Sequence, residues 1–277
     1  MHAKEYTCQI TENIWVTPTV MRVRFEPLKK FTYEPGQFVS LQIPTPDGRI
    51  VKRCYSLSSA PAESKKNGHY ELCVKYVSGG AGSGYLASLK KGDTFRIVAP
   101  YGEFTYKPVE PGRSVCFIAT GTGFAPFRSM AFSHEFQNNP PDNALCLFGL
   151  RSEEDLMYQG QMESMGVETI YALSKPSAAW TGYRGRVTDV LKALPTSWRW
   201  HTTDFYLCGN GEMVREVYAF LRGGHGVSDK AITKEMFSTT PTAPAKPVPI
   251  TQAAKEKVEP EVPSILSVMS PGLKDVA

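Results

Sequence analysis

A chain of 277 residues with 42% hydrophobic, 21% charged and 11% aromatic residues has the composition of an ordinary folded protein and the length of two domains. Its formal charge of +4 suits an acidic partner or a phosphorylated cofactor and is too small to argue for nucleic acid. No run approaches the ~18 apolar residues of a membrane span, and the opening MHAKEYTCQITENI lacks the apolar core of a secretory signal, so a cytoplasmic chain is expected.

From residue 5 to about 108 the sequence consists of short segments with alternating apolar residues: YTCQITENIWV, TVMRVRFEP, QFVSLQI, RCYSLSS, HYELCVKYV and TFRIVAPYG. Turn signals separate them at 35–37, 46–48, 67–68 and 91–93. This spacing predicts a small antiparallel barrel or sandwich, interrupted once by about two turns of helix over Ser83–Leu89. From 113 the pattern changes to strand, loop and helix in alternation. SVCFIATG, ALCLFGLRS, ETIYALS and DFYLCGN are expected as parallel strands, and 125–136, 158–165, 187–194 and 212–221 as helices. Ligands of such sheets collect beyond the carboxyl ends of the strands, so loops 120–126, 149–152, 174–186 and 208–212 should line one crevice. The stretch 239–277 holds seven of the 21 prolines and no aromatic residue, and is expected as a flexible tail whose apolar knot, Ile265–Met269, is most simply a chance cluster.

The six cysteines, at 8, 54, 73, 116, 146 and 208, form no CxxC pair, so no self-contained zinc or iron–sulfur centre is expected. Most lie in apolar runs as packing thiols. Four motifs carry chemistry. In Arg53-Cys54-Tyr55-Ser56-Leu57 the alternation of a strand puts Arg53, Tyr55 and Leu57 on one face, a guanidinium fork for a diphosphate beside a ring for a flat heterocycle. Gly79-Gly80-Ala81-Gly82-Ser83 opens a helix with free backbone N–H groups and a serine hydroxyl facing outward, a phosphate cradle. Thr120-Gly121-Thr122-Gly123 with Pro126 joins a buried strand to a helix, permitting a tight turn and close ligand approach. Cys208-Gly209 ends another buried strand at the same crevice.

In this order and at these separations, R-x-Y-S, G-x-x-S, G-T-G-x-x-P and C-G-N resemble the ferredoxin–NADP(+) reductase superfamily of flavoproteins, over about residues 5 to 238. The resemblance implies an FAD-binding Greek-key β-barrel over 1–108 and a Rossmann-like α/β domain over 113–238 that binds NAD(P). It implies that Arg53 and the backbone of Gly80, Gly82 and Ser83 hold the FAD pyrophosphate, that Tyr55 packs on the flavin and that Ser56 lies near flavin N5. Thr120, Gly121, Thr122, Gly123 and Pro126 would receive the nicotinamide nucleotide, with Cys208 and Gly209 beside its reactive ring. Glu235-Met236-Phe237 resembles the family's ending, in which an acid lies near the flavin edge and an aromatic, here Phe237, shields it. Ser56, Cys208 and Glu235 are thus the implied catalytic residues.

Ser174 and Lys175 end a strand where this family meets the adenosine ribose, and Arg184 or Arg186 could swing in. Such donors favour NADPH over NADH as the reductant. The function so implied is hydride transfer between nicotinamide and FAD, then single-electron transfer to a separate ferredoxin, flavodoxin or oxygenase iron–sulfur component. Rival readings are a reductase of free flavin or another small acceptor, and a non-catalytic flavin-binding subunit of a larger complex.

Overall fold

A computed structural model describes residues 2–195 and 197–237; the expected tail, 239–277, lies outside the described residues. The first half contains β1 (Lys4–Thr17), β2 (Val20–Pro27), β3 (Phe38–Pro44), β4 (Ile50–Ser56), α1 (Pro61–Asn67), β5 (Tyr70–Lys75), α2 (Ala81–Ser88) and β6 (Thr94–Tyr101). The strands form one antiparallel sheet in the order β4-β3-β6-β1-β2-β5, and its two edges meet at a bridge between Leu57 and Leu72. Closure leaves one inside, filled by alternating residues such as Val23, Phe25, Val39, Leu41 and Ile97.

Helix α1 is a second interruption of this sheet that the sequence reading missed. Its signals are local: Pro61 in the first turn, the Glu63 carboxylate accepting from Ala60 N at 2.8 Å, and Gly68 at φ 80° closing the end.

The second half contains β7 (Ser114–Thr120), α3 (Phe124–Ala131), α4 (His134–Asn138), β8 (Ala144–Leu150), β9 (Glu168–Leu173), β10 (Tyr183–Arg184), α5 (Val187–Ala193), β11 (Thr203–Asn210), α6 (Gly211–Ala219) and β12 (Ile232–Phe237). All six strands are parallel, in the order β10-β9-β8-β7-β11-β12. The order reverses between β7 and β11, which opens a crevice at their carboxyl ends.

Two expected helices differ. The helix over 125–136 is split, because Ser133 accepts from Phe136 N and starts α4 afresh. The segment 158–165 is mostly turns, ending in a single 3-10 turn over Glu163–Met165. Positive φ at Tyr158, Gly160 and Gly166 ends any regular helix there.

The two halves share a core: Val20, Cys73 and Phe104 of the first pack in one cluster with Phe124, Phe127 and Met130 of the second. Within that contact Arg128, only 8% exposed, donates to Ser58 O at 2.8 Å, to Glu63 at 2.9 and 3.0 Å, and to Gln161 Oε1 at 2.6 Å. Ser129 Oγ donates to Ser59 O at 2.7 Å beside it. Removing one partner of a buried ion pair leaves the other desolvated and unpaired, so Arg128→Ala is expected to lower unfolding stability by about 3 to 5 kcal/mol. Urea denaturation followed by circular dichroism measures this.

Candidate functional site

On the first half, β4 and the start of α2 make one surface. Gly79 turns the chain at φ 72° into Gly80, the N-cap of α2, and no side chain caps the first N–H groups of that helix. A Cβ at Gly82 would overlap Tyr55 Oη and touch Arg53 Cγ at 3.0 Å, so glycine is what lets α2 start against these two side chains. Arg53 makes no ion pair among the described residues; its guanidinium donates to Lys52 O at 2.8 Å. An unpaired guanidinium beside uncapped N–H groups fits a diphosphate, and the half-buried Tyr55 ring beside it fits a flat heterocycle. Burial pushes the Tyr55 hydroxyl up to about 12, so it stays neutral.

Ser83 corrects the sequence reading. Its hydroxyl is buried and turned back into the loop, accepting from Val77 N at 3.0 Å. Only its backbone N–H remains for a ligand.

On the second half, two loops pack backbone against backbone. A Cβ at Gly123 would overlap Cys208 O, and one at Gly209, at φ 134°, would overlap Thr120 Oγ1. Thr120 Oγ1 also accepts from Asn210 N at 2.9 Å, tying the ends of β7 and β11 together. A cleft of about 420 Å³ opens at this point, walled by Thr120, Gly121, Ser174, Lys175 and Asn210, with Val20 and Lys75 contributed by the first half. Thr122, Gly123 and Pro126 do not line it; Pro126 is buried in the first turn of α3.

Of the three cations expected here, two face the cleft and one does not. Lys175 and Arg186 line it, joined by Arg151, which the sequence reading passed over although its loop had been assigned to the crevice. Arg184 is turned away, donating to the carbonyls of Ser177, Ala178 and Trp180 at 2.7 to 2.9 Å. Lys75, at the end of β5, was also missed, because nothing local marks a strand-terminal lysine as facing another sheet.

Where the halves meet, Ser56, Glu235 and Cys208 come together. Strand register sets Glu235 opposite Cys208, and the Ser56 side chain stands beside the Glu235 carboxyl. Burial raises Glu235 to about 7, and the neighbouring Ser56 hydroxyl holds it from rising further. The Cys208 thiol is held well above its ordinary value, first by burial and then by Glu235, so it is a neutral group here. Phe237 is half-buried at the end of β12, opposite Asn210.

Comparison with known proteins agrees with this geometry. Residues 7–106 match the model of the oxidoreductase FAD-binding domain, and residues 117–218 that of the oxidoreductase NAD-binding domain. The chain is 36% identical to ferredoxin–NADP reductase B of Sorangium cellulosum, over 80% of this chain and 93% of that one. It is 28% identical to the glycine betaine monooxygenase reductase subunit of Pseudomonas aeruginosa, over 92% of this chain and 69% of the relative. The fold matches that of a ferredoxin NADP+ reductase from Neisseria gonorrhoeae with bound FAD and NADP, at a TM-score of 0.72 and 21% identity, covering 85% of this chain and 99% of that one. No helix among the described residues is long and apolar enough to cross a membrane.

Two glycines of α2 give opposite expectations. Gly82→Ala forces Tyr55 or the helix to move and should cost about 1 to 3 kcal/mol. Gly84 has nothing within 4 Å of an added Cβ, so Gly84→Ala should stabilise by roughly 0.5 to 1 kcal/mol through helix propensity. Thermal melts of the two variants check both signs.

Proposed function

The chain belongs to the ferredoxin–NADP reductase family, and from that membership we propose that it is an FAD-dependent NAD(P)H reductase with a ferredoxin, a flavodoxin or an oxygenase iron–sulfur component as acceptor. Residues 1–108 form the FAD-binding unit in this reading, and 113–238 the nucleotide-binding unit. The observation that carries it is the meeting of Ser56 with Glu235 and Cys208, between a phosphate cradle on one half and a cation-lined cleft on the other.

When bound, FAD takes a hydride from reduced nicotinamide and releases its two electrons one at a time. The residues supply position and protonation. Arg53 and the first N–H groups of α2 hold the diphosphate, and Gly80 and Gly82 allow its close approach. Tyr55 would offer a neutral ring face to the flavin, and Phe237 would shield it. Gly121 admits the nucleotide to the ends of β7 and β11, and Cys208-Gly209 leaves room for the nicotinamide because the thiol is small and uncharged. Ser56 fixes the Glu235 carboxyl, which holds or releases a proton near neutral pH, where a general acid is most effective.

Ser174, Lys175, Arg151 and Arg186 supply the donors for a 2′-phosphate, which makes NADPH the favoured reductant. Charge-assisted contacts of this kind are worth about 1.5 to 3 kcal/mol, or roughly ten- to a hundredfold in affinity. Lys175→Ala is therefore expected to raise KM for NADPH at least about tenfold and leave NADH nearly unchanged. Steady-state oxidation of each nucleotide with ferricyanide, then with a reduced-ferredoxin readout, tests both the nucleotide and the reaction. Equal loss with both nucleotides, or no oxidation of either, overturns this reading.

Glu235 carries a pH signature. Because its folded value lies near 7, above the ordinary 4.5, the folded state binds the extra proton between these values. Its contribution to stability is full below about 4.5 and is lost as pH rises through 7. If the protonated carboxyl serves the reaction, turnover should fall above pH 7. Glu235→Gln, which stays neutral, should flatten both profiles, read from melting temperature and from kcat between pH 4.5 and 9.

A further inference from the structure

The segment Asp155–Tyr158 leaves β8 and docks on the barrel at three successive points. Thr19 Oγ1 donates to Asp155 Oδ1 at 3.5 Å, the Cys73 thiol lies 3.7 Å from Met157 Sδ, and Tyr158 Oη donates to Glu71 Oε1 at 3.2 Å. Asp155 and Met157 line the cleft together with Val20 and Lys75, which neighbour those barrel partners in the chain. One wall of the cleft is therefore a loop of the second half whose place is set by the first half.

Tyr158 holds this loop in an unusual way. At φ 55° it is the one non-glycine residue with positive φ among the described residues, a conformation that an L side chain adopts only when its surroundings compensate. Its ring stacks on Phe124 at 5.9 Å, which stacks in turn on Phe148 at 4.5 Å. The acceptor is equally constrained: Glu71 is 3% exposed, takes Arg24 Nε at 2.9 Å on one oxygen, and takes Ser58 Oγ at 3.0 Å on the oxygen that Tyr158 shares.

We propose that Tyr158 is a positioning residue for the nucleotide: its hydroxyl, anchored on barrel residue Glu71, keeps the 155–158 loop in the shape that puts Met157 and Asp155 on the cleft wall. This rests on the reading that the cleft receives the nicotinamide nucleotide. Loss of the hydroxyl lets the strained residue relax, and apparent affinity falls with the fraction of molecules whose wall is in place.

The test is Tyr158→Phe in the full, FAD-loaded chain. The ring stack survives, and Glu71 keeps Arg24 and Ser58, so the barrel loses no essential partner. Calorimetric titration with NADP+ and with NAD+ should give about tenfold weaker binding of whichever the parent binds more tightly. KM should rise with it, while kcat at saturation, FAD per chain and a melting temperature within about 4 °C of the parent's are retained. Amide exchange over 155–160 should quicken. Unchanged affinity in the variant overturns the proposal, as does a loss matched by lost FAD or a larger fall in melting temperature, which marks a merely structural role. A parent chain that binds neither nucleotide overturns the cleft reading as well, so the two failures are distinct.

Discussion

The relation between the two halves depends on one desolvated cation. Arg128 stands five residues beyond Gly123 on α3, and its acceptors include Ser58 O, two residues beyond Ser56, and the Glu63 carboxylate of α1. Taking a guanidinium out of water is costly and is offset only when its donors are matched in direction and charge. An apolar contact such as that of Val20 and Cys73 with Phe124 tolerates sliding; a fork of directed hydrogen bonds does not. The Ser129–Ser59 bond adds a second fixed point one residue along. In this way the end of β4 and the ends of β7 and β11 keep one distance and one angle, and the seam residues meet.

At the loops the chain gains closeness by omitting side chains. Gly123 against Cys208 O and Gly209 against Thr120 are backbone-to-backbone contacts that no Cβ could enter. Gly82 does the same between α2 and Tyr55. Each position forgoes the conformational economy of alanine in exchange for bare N–H groups and space, which is where a cofactor with an extended diphosphate needs them.

Environment, rather than residue type, decides what the carboxylates do. Glu153 accepts from Ser177 N and Oγ, which holds it below the ordinary range and pins the loop that carries Lys175. Glu235, half-buried beside a neutral thiol, is raised to about 7. The cleft cations lie nearer to water, so their attraction for a phosphate is screened by salt, whereas the seam works at low dielectric and changes charge at neutral pH.

The sequence by itself determined the order of the strands along the chain, the change from alternating to strand-and-helix pattern near 113, and the three glycine-bearing loops, because period and turn chemistry are local. It also marked Arg53 with Tyr55, since two residues apart on a strand means one face. What it left undecided are the contacts that join distant positions. Arg128 to Glu63 spans 65 residues and Tyr158 to Glu71 spans 87, and no spacing rule relates them. Arg184 and Arg186 look alike in the chain; pairing of β10 with β9 turned the first into its own loop and left the second on the cleft. Ser83 looks like a free hydroxyl until the loop closes on Val77. Only the tertiary structure decided these, because the direction of a side chain is set by whatever polar group remains unsatisfied nearby once the backbone has packed.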